Sequence, residues 1–137
     1  MIVYLDTSSL VKLYVDEIGS REIFELISRA QVVATSRVAY VEAIAAFVRK
    51  FALPKTLEIF SSTRKSFDSD WPNYFIIEVT EPITALAATL AEKHRLRGFD
   101  ALHLASAVFI RDRLNQEIFF SAADIKLESP ARKEGLS

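Results

Sequence analysis

Four short apolar runs, the first three followed by residues at helical spacing, constrain the fold of this chain more than any other feature. Ile2–Leu5 (IVYL), Gln31–Ala34 (QVVA), Tyr74–Val79 (YFIIEV) and Glu117–Phe120 (EIFF) are rich in β-branched and aromatic residues and read as strands. The segments between them carry apolar residues three and four apart. Helices are expected over Ser8–Val15, around Ile23–Ile27, from a Thr35–Ser36 cap to about Phe51, and from Pro54 onward through Leu57, Phe60 and Phe67. Two more are expected from Pro82 to Leu96 and, after an interruption at Gly98, from Ala101 to Leu114. Ser69–Asn73 is turn chemistry, and the residues after Phe120 form a polar turn or helix. Strands separated by helices imply a parallel sheet covered on both faces, here as a single domain over residues 1–137.

The composition closes off several function classes. Half of the residues are hydrophobic, enough for a packed core. There is no cysteine, so no thiolate metal site, disulfide framework or cysteine nucleophile exists. The three glycines, Gly19, Gly98 and Gly135, lie too far apart for a phosphate-cradling loop. The N-terminal apolar run ends at Asp6, before a signal region could form, and no run approaches the length of a membrane span. A cytoplasmic protein with no membrane partner is expected.

In parallel α/β sheets, ligands bind beyond the carboxyl ends of the strands, and four acids draw attention there. Asp6 follows the first strand, Asp100 follows Gly98-Phe99, and Asp124 follows the fourth strand. Each also reads as a helix cap or first-turn acid. Glu42 differs, because it lies mid-helix with Val38, Ala39, Ala45 and Ala46 one turn away. An ionised carboxylate on that apolar stripe needs a basic partner, such as Arg37 or Arg49, or a cation. With Asp6, Asp100 and Asp124 at strand–helix junctions and Glu42 projecting inward, one sheet rim can gather all four. Crowded carboxylates with only oxygen ligands favour Mg²⁺ or Mn²⁺, ions suited to phosphodiester hydrolysis. The two histidines lack zinc-ligand spacing.

These segments resemble the PIN-domain family. The run IVYLDTSSLVKLYVDEIGS with Asp6 resembles the opening of its members, and VAYVEAIAAFVRK with Glu42 resembles their second acidic motif. LRGFDALHLASAV with Asp100 and FFSAADIKLESPARKEGL with Asp124 resemble the third and fourth. The likeness is strongest to the VapC-like toxins of prokaryotic toxin–antitoxin pairs. It implies a three-layer α/β/α sandwich with a parallel sheet of four or five strands. It also implies a Mg²⁺- or Mn²⁺-dependent endoribonuclease, inhibited by a small antitoxin and homodimeric. Asp6, Glu42 and Asp100 would hold the ion, and Asp124 would complete the site.

Other residues have two readings each. Ser8 matches a common site-lining position and also reads as a helix-start residue. The Ser or Thr found two residues before the fourth acid is Ala122 here, with Ser121 one place earlier. Pro130 interrupts a stretch that is helical in the family, so a short final helix is expected. His103, one turn after Asp100, could line the site as a proton shuttle, although packing or hydrogen bonding is the favoured role. Lys93, His94, Arg95 and Arg97 read as a solvated helix end or as RNA phosphate contacts. Asp68 and Asp70 shape the turn beside Trp71, which could stack on a base or a partner chain, although a partly buried loop anchor is the favoured role. The apolar helices before Phe51 and after Pro54 could form a dimer or antitoxin groove.

Two other classes stay open. A non-catalytic interaction module would keep the fold and acids but only bind a protein partner or RNA. A phosphotransferase or phosphatase using Asp6 as nucleophile is disfavoured, because such enzymes place a second acid where Ser8 stands. The net charge of −1 argues against a broad polyanion coat. Setting the four candidate acids aside leaves 14 acidic residues against 17 basic ones, so a selective RNA enzyme remains compatible with it.

Overall fold

The computed structural model describes all 137 residues, Met1–Ser137. Its elements are β1 (Ile2–Leu5), α1 (Thr7–Val11), α2 (Ser20–Ser28), β2 (Val32–Ser36), α3 (Val38–Lys50), α4 (Leu57–Asp70), β3 (Phe75–Ile77), α5 (Glu81–His94), α6 (Gly98–Leu114), β4 (Ile118–Ser121) and α7 (Glu128–Lys133). Short 3-10 turns at Pro54–Thr56, Trp71–Asn73 and Ile125–Leu127 adjoin α4 and α7.

The four strands form one parallel sheet in the order β3-β2-β1-β4. All of β1 is buried, as a continuous apolar run in a central parallel strand should be. Its side chains alternate between two cores. Ile2 and Tyr4 join the core under α5, α6 and α7, while Val3 and Leu5 join the core under α1, α2, α3 and α4. The result is the expected α/β/α sandwich. It has four strands, and Ser137 adds a single rung at the β4 edge by donating to Ile118 O and accepting from Phe120 N–H.

The order places a topological switch between β1 and β4. From β1 the chain builds outward through β2 to β3, then returns to add β4 on the other side. Loops leaving β1 and β4 therefore diverge, and a crevice opens at their carboxyl ends.

Several boundaries differ from the sequence expectation, for local reasons. Thr35 and Ser36 belong to β2 rather than to a cap, because Thr35 Oγ1 donates to Leu5 O at 2.7 Å inside the core. Ser36 Oγ still accepts from Val38 N at 3.3 Å. Helix α1 stops at Val11, where Lys12 N and Leu13 N turn to acceptors three residues back. The break before α6 falls at Arg95, in the left-handed region with φ 56°, and Gly98 begins the helix. Pro130 lies in the first turn of α7, where a missing N–H costs nothing.

Candidate active site

A cleft of about 1040 Å³ opens at the switch point, and Asp6, Glu42, Asp100 and Asp124 all line it. Asp6 reaches it from the end of β1. It caps α1 by accepting from Ser9 N–H at 2.9 Å, and its own N–H donates to Ser121 O at 3.0 Å. Ser8 Oγ donates to both Asp6 oxygens, at 2.7 and 2.9 Å, and accepts from Ala123 N–H at 3.0 Å. One hydroxyl thus ties the start of α1 and Asp6 to the segment after β4.

Glu42 approaches from α3. Its Oε1 accepts from Thr7 Oγ1 at 2.5 Å and lies 3.0 Å from His103 Nε2. These contacts answer the sequence puzzle of a carboxylate on an apolar stripe: its partners are a threonine and a histidine rather than an arginine. Arg37 pairs with Glu78 instead. Asp100 sits in the first turn of α6, which is entered from α5, so its junction is helix–helix and not strand–helix. Asp124 caps the turn Ile125–Leu127 by accepting from Lys126 N at 2.9 Å.

Burial first, and neighbouring charge second, disfavour ionisation of two of these acids. Burial raises the pKa of Asp6 above the usual carboxylate value, and the charge of Asp100 adds to the rise against the hydrogen bonds from Ser9 and Ser8. Asp100 is raised by burial and by the charges of Asp124 and Glu42. Burial pushes Glu42 up as well, but the hydrogen bonds of His103 and Thr7 outweigh it and hold the group below its usual value. A site that raises its own carboxylates in this way is relieved by a cation.

The donor set suits a hard divalent ion: four carboxylates and hydroxyls, with no thiol. The side chains as they stand do not converge into a group of three acids or imidazoles that could hold one. Asp6 and Glu42 direct oxygens to Ser8, Ser9, Thr7 and His103. Asp100 has no such tie within the protein.

The remaining candidates separate. Ser8, His103 and Arg97 line the cleft, and Arg49 lies on its wall. His103 is 2 % exposed and fully engaged in hydrogen bonds. Ser121 is buried outside the cleft lining, with its Oγ 2.9 Å from Ser9 Oγ. Lys93 and His94 both turn to Glu134, at 2.6 and 2.7 Å, which draws them away from the acids. Arg95 is the left-handed cap of α5 and also lies outside the lining. Thr7 is the residue that sequence reasoning missed. A hydroxyl directly after the first acid was the available signal.

Known proteins resemble this chain in sequence and fold. The model of the PIN domain family matches residues 3–131. Ribonuclease VapC45 of Mycobacterium tuberculosis is 34% identical over 115 residues, covering 81% of this chain and 78% of the relative. Ribonuclease VapC47 of the same species is 30% identical over 138 residues, covering 98% and 93%. Among solved structures, VapBC2 from Rickettsia felis bound to a promoter DNA fragment superposes with a TM-score of 0.63 at 16% identity, over 94% of this chain and 92% of that one. A toxin–antitoxin complex from Klebsiella pneumoniae gives 0.60 at 16%, over 85% and 83%. A parallel sheet in the expected order of layers, four acids at its switch point and a family match across nearly the whole chain lead to one conclusion: this chain belongs to the PIN domain family.

Proposed function

We propose that the chain is an endoribonuclease that hydrolyses RNA phosphodiester bonds with the help of Mg²⁺ or Mn²⁺, and that it is the toxin of a toxin–antitoxin pair. The observation that carries this is the gathering of Asp6, Glu42, Asp100 and Asp124 on one cleft, each from a different segment of the chain. Relatives at 30% identity or more, named as VapC ribonucleases, support the RNA chemistry.

When bound, a divalent ion supplies positive charge to the scissile phosphate and lowers the pKa of a water molecule. Asp6, Glu42 and Asp100 would hold it, and Asp124 would complete the site. The chain's own residues do the rest. Ser8 and Ser9 orient the Asp6 carboxylate, and Thr7 and His103 orient Glu42. Arg97 and Arg49, exposed on the cleft and free of ion pairs, meet the phosphates on either side of the cut. No side chain is needed as a nucleophile.

A small antitoxin partner and a homodimer fit the exposed apolar side chains of α3 and the segment after it, Val41, Val48, Leu53 and Leu57. No helix is long and apolar enough to cross a membrane, and a cytoplasmic site of action fits RNA as substrate. The test is incubation of the purified protein with RNA in Mg²⁺, in Mn²⁺ and in EDTA. Cleavage only with metal is expected. Undiminished cleavage in EDTA contradicts the proposal, and a folded protein that binds its partner but cuts no RNA favours the non-catalytic module.

A further inference from the structure

Tyr4 lies in the middle of β1 with no exposed surface, and a tyrosine hydroxyl buried that deeply needs a partner. Its hydroxyl stands 2.7 Å from His103 Nδ1. The other ring nitrogen of His103, Nε2, lies 3.0 Å from both Glu42 Oε1 and Thr7 Oγ1. Thr7 donates to the same Oε1. The second oxygen, Oε2, accepts nothing from the protein.

For a neutral imidazole, counting protons fixes the direction of this chain of contacts. An ionised carboxylate only accepts, so Nε2 must carry a hydrogen toward Glu42. In a neutral imidazole Nδ1 is then bare and must accept, and the Tyr4 hydroxyl is the group placed to donate to it. A phenol holds its proton at neutral pH, so the Tyr4 hydroxyl has a hydrogen to give.

We propose that Tyr4 is a positioning residue for the metal site: by donating to His103 Nδ1 it fixes the Nε2–H tautomer, which with Thr7 clamps Glu42 Oε1 and leaves Oε2 for the cation. The proposal rests on the reading of Glu42 as a metal-holding acid. Without the Tyr4 hydroxyl, the Nδ1–H tautomer becomes accessible. That tautomer aims a lone pair of Nε2 at the carboxylate, and Glu42 loses one of its two donors. The effect passes through His103, since Tyr4 itself lies beneath the cleft and outside its lining.

Tyr4→Phe isolates the hydroxyl, because the ring still stacks on Phe120, at 5.5 Å between centroids. Two measurements on the metal-free protein test the proposal: the His103 tautomer by ¹⁵N-edited NMR, and Mn²⁺ affinity by calorimetry. The wild type should show Nε2–H. Tyr4→Phe should show a Nδ1–H fraction and bind Mn²⁺ about 10- to 100-fold more weakly. In a Glu42→Gln background, the same change should alter affinity by less than about twofold. An Nδ1–H wild type, equal affinities, or an undiminished effect in the Glu42→Gln background overturns the proposal. A wild type that binds no Mn²⁺ overturns the metal reading of the site itself. Equal affinities in a Mn²⁺-binding protein overturn the Tyr4 role alone. Should Tyr4→Phe fail to fold, the wild-type tautomer still decides.

Discussion

His103 Nε2 lies 3.0 Å from Glu42 Oε1, and the two residues come from opposite faces of the sheet. Glu42 belongs to α3, which packs on the Val3 and Leu5 side; His103 belongs to α6, which packs on the Tyr4 side. They meet over the carboxyl end of β1, where Thr7 joins them. The contact bridges two helices that pack on opposite faces of the sheet, and it holds one acid of the cleft in place.

Thr7 is the shorter of the two ties on Glu42 and its removal should be felt. Thr7→Val keeps the shape and loses the hydroxyl, at a cost of about 1 kcal/mol of stability by urea denaturation. RNA cleavage should fall with it. Thr7→Ser, which keeps the donor, should restore most of the activity. A Thr7→Val protein as active as the wild type would show that this tie does not matter to the site.

Asp6 has a structural duty as N-cap of α1 beside the chemical one proposed for it. Asparagine caps as well as aspartate, whereas alanine does not cap, so the two substitutions should split. Both should abolish cleavage. Asp6→Ala should be about 1 kcal/mol less stable than Asp6→Asn, read from urea midpoints. Equal stability of the two would remove the cap from the account.

Arg97 and Lys93 were equal candidates for RNA contact by sequence, and the structure separates them. With RNA binding measured in the Asp6→Asn protein, Arg97→Gln should weaken affinity and shrink the slope of log K against log salt by about 0.7 to 1. Lys93→Gln should leave both unchanged, because Glu134 holds that ammonium at 2.6 Å. The reverse pattern would place the RNA on the other side of α5.

Two glycines should respond in opposite ways to alanine. Gly135 has φ 85°, and a Cβ there would stand 2.8 Å from Arg111 Nη1, whose guanidinium donates to Glu134 O. Gly135→Ala should cost about 1–3 kcal/mol. Gly98 opens α6 with open space around it, so Gly98→Ala should gain up to about 1 kcal/mol. Thermal or urea unfolding of the two variants reads both signs.

The sequence made the layers and the acids visible because both follow from local rules. Period-two and period-3.6 patterns depend on near neighbours, and so does a carboxylate on an apolar helix stripe, which marked Glu42 out. The arrangement around those acids was less legible. Thr35 leaves its expected cap for a bond to Leu5 O, a residue thirty positions away. Lys93 and His94 are captured by Glu134, about forty positions on. Ser121 finds Ser9 across the sheet. The tie between Thr7 and Glu42 spans two elements in the same way. Side-chain direction in each case is decided by a partner distant in sequence, which no local pattern encodes.

The central claim is that these acids hold a cation for RNA hydrolysis. Asp100 tests it most directly, because its side chain carries no cap and no hydrogen bond whose loss would disturb the fold. The measurement is the single-turnover rate of RNA cleavage in Mn²⁺ by Asp100→Asn and wild type, each shown to be folded by its melting curve. The account predicts a loss of roughly a hundredfold or more in a protein that melts no lower than the wild type. Asp100→Asn cleavage at the wild-type rate would contradict it.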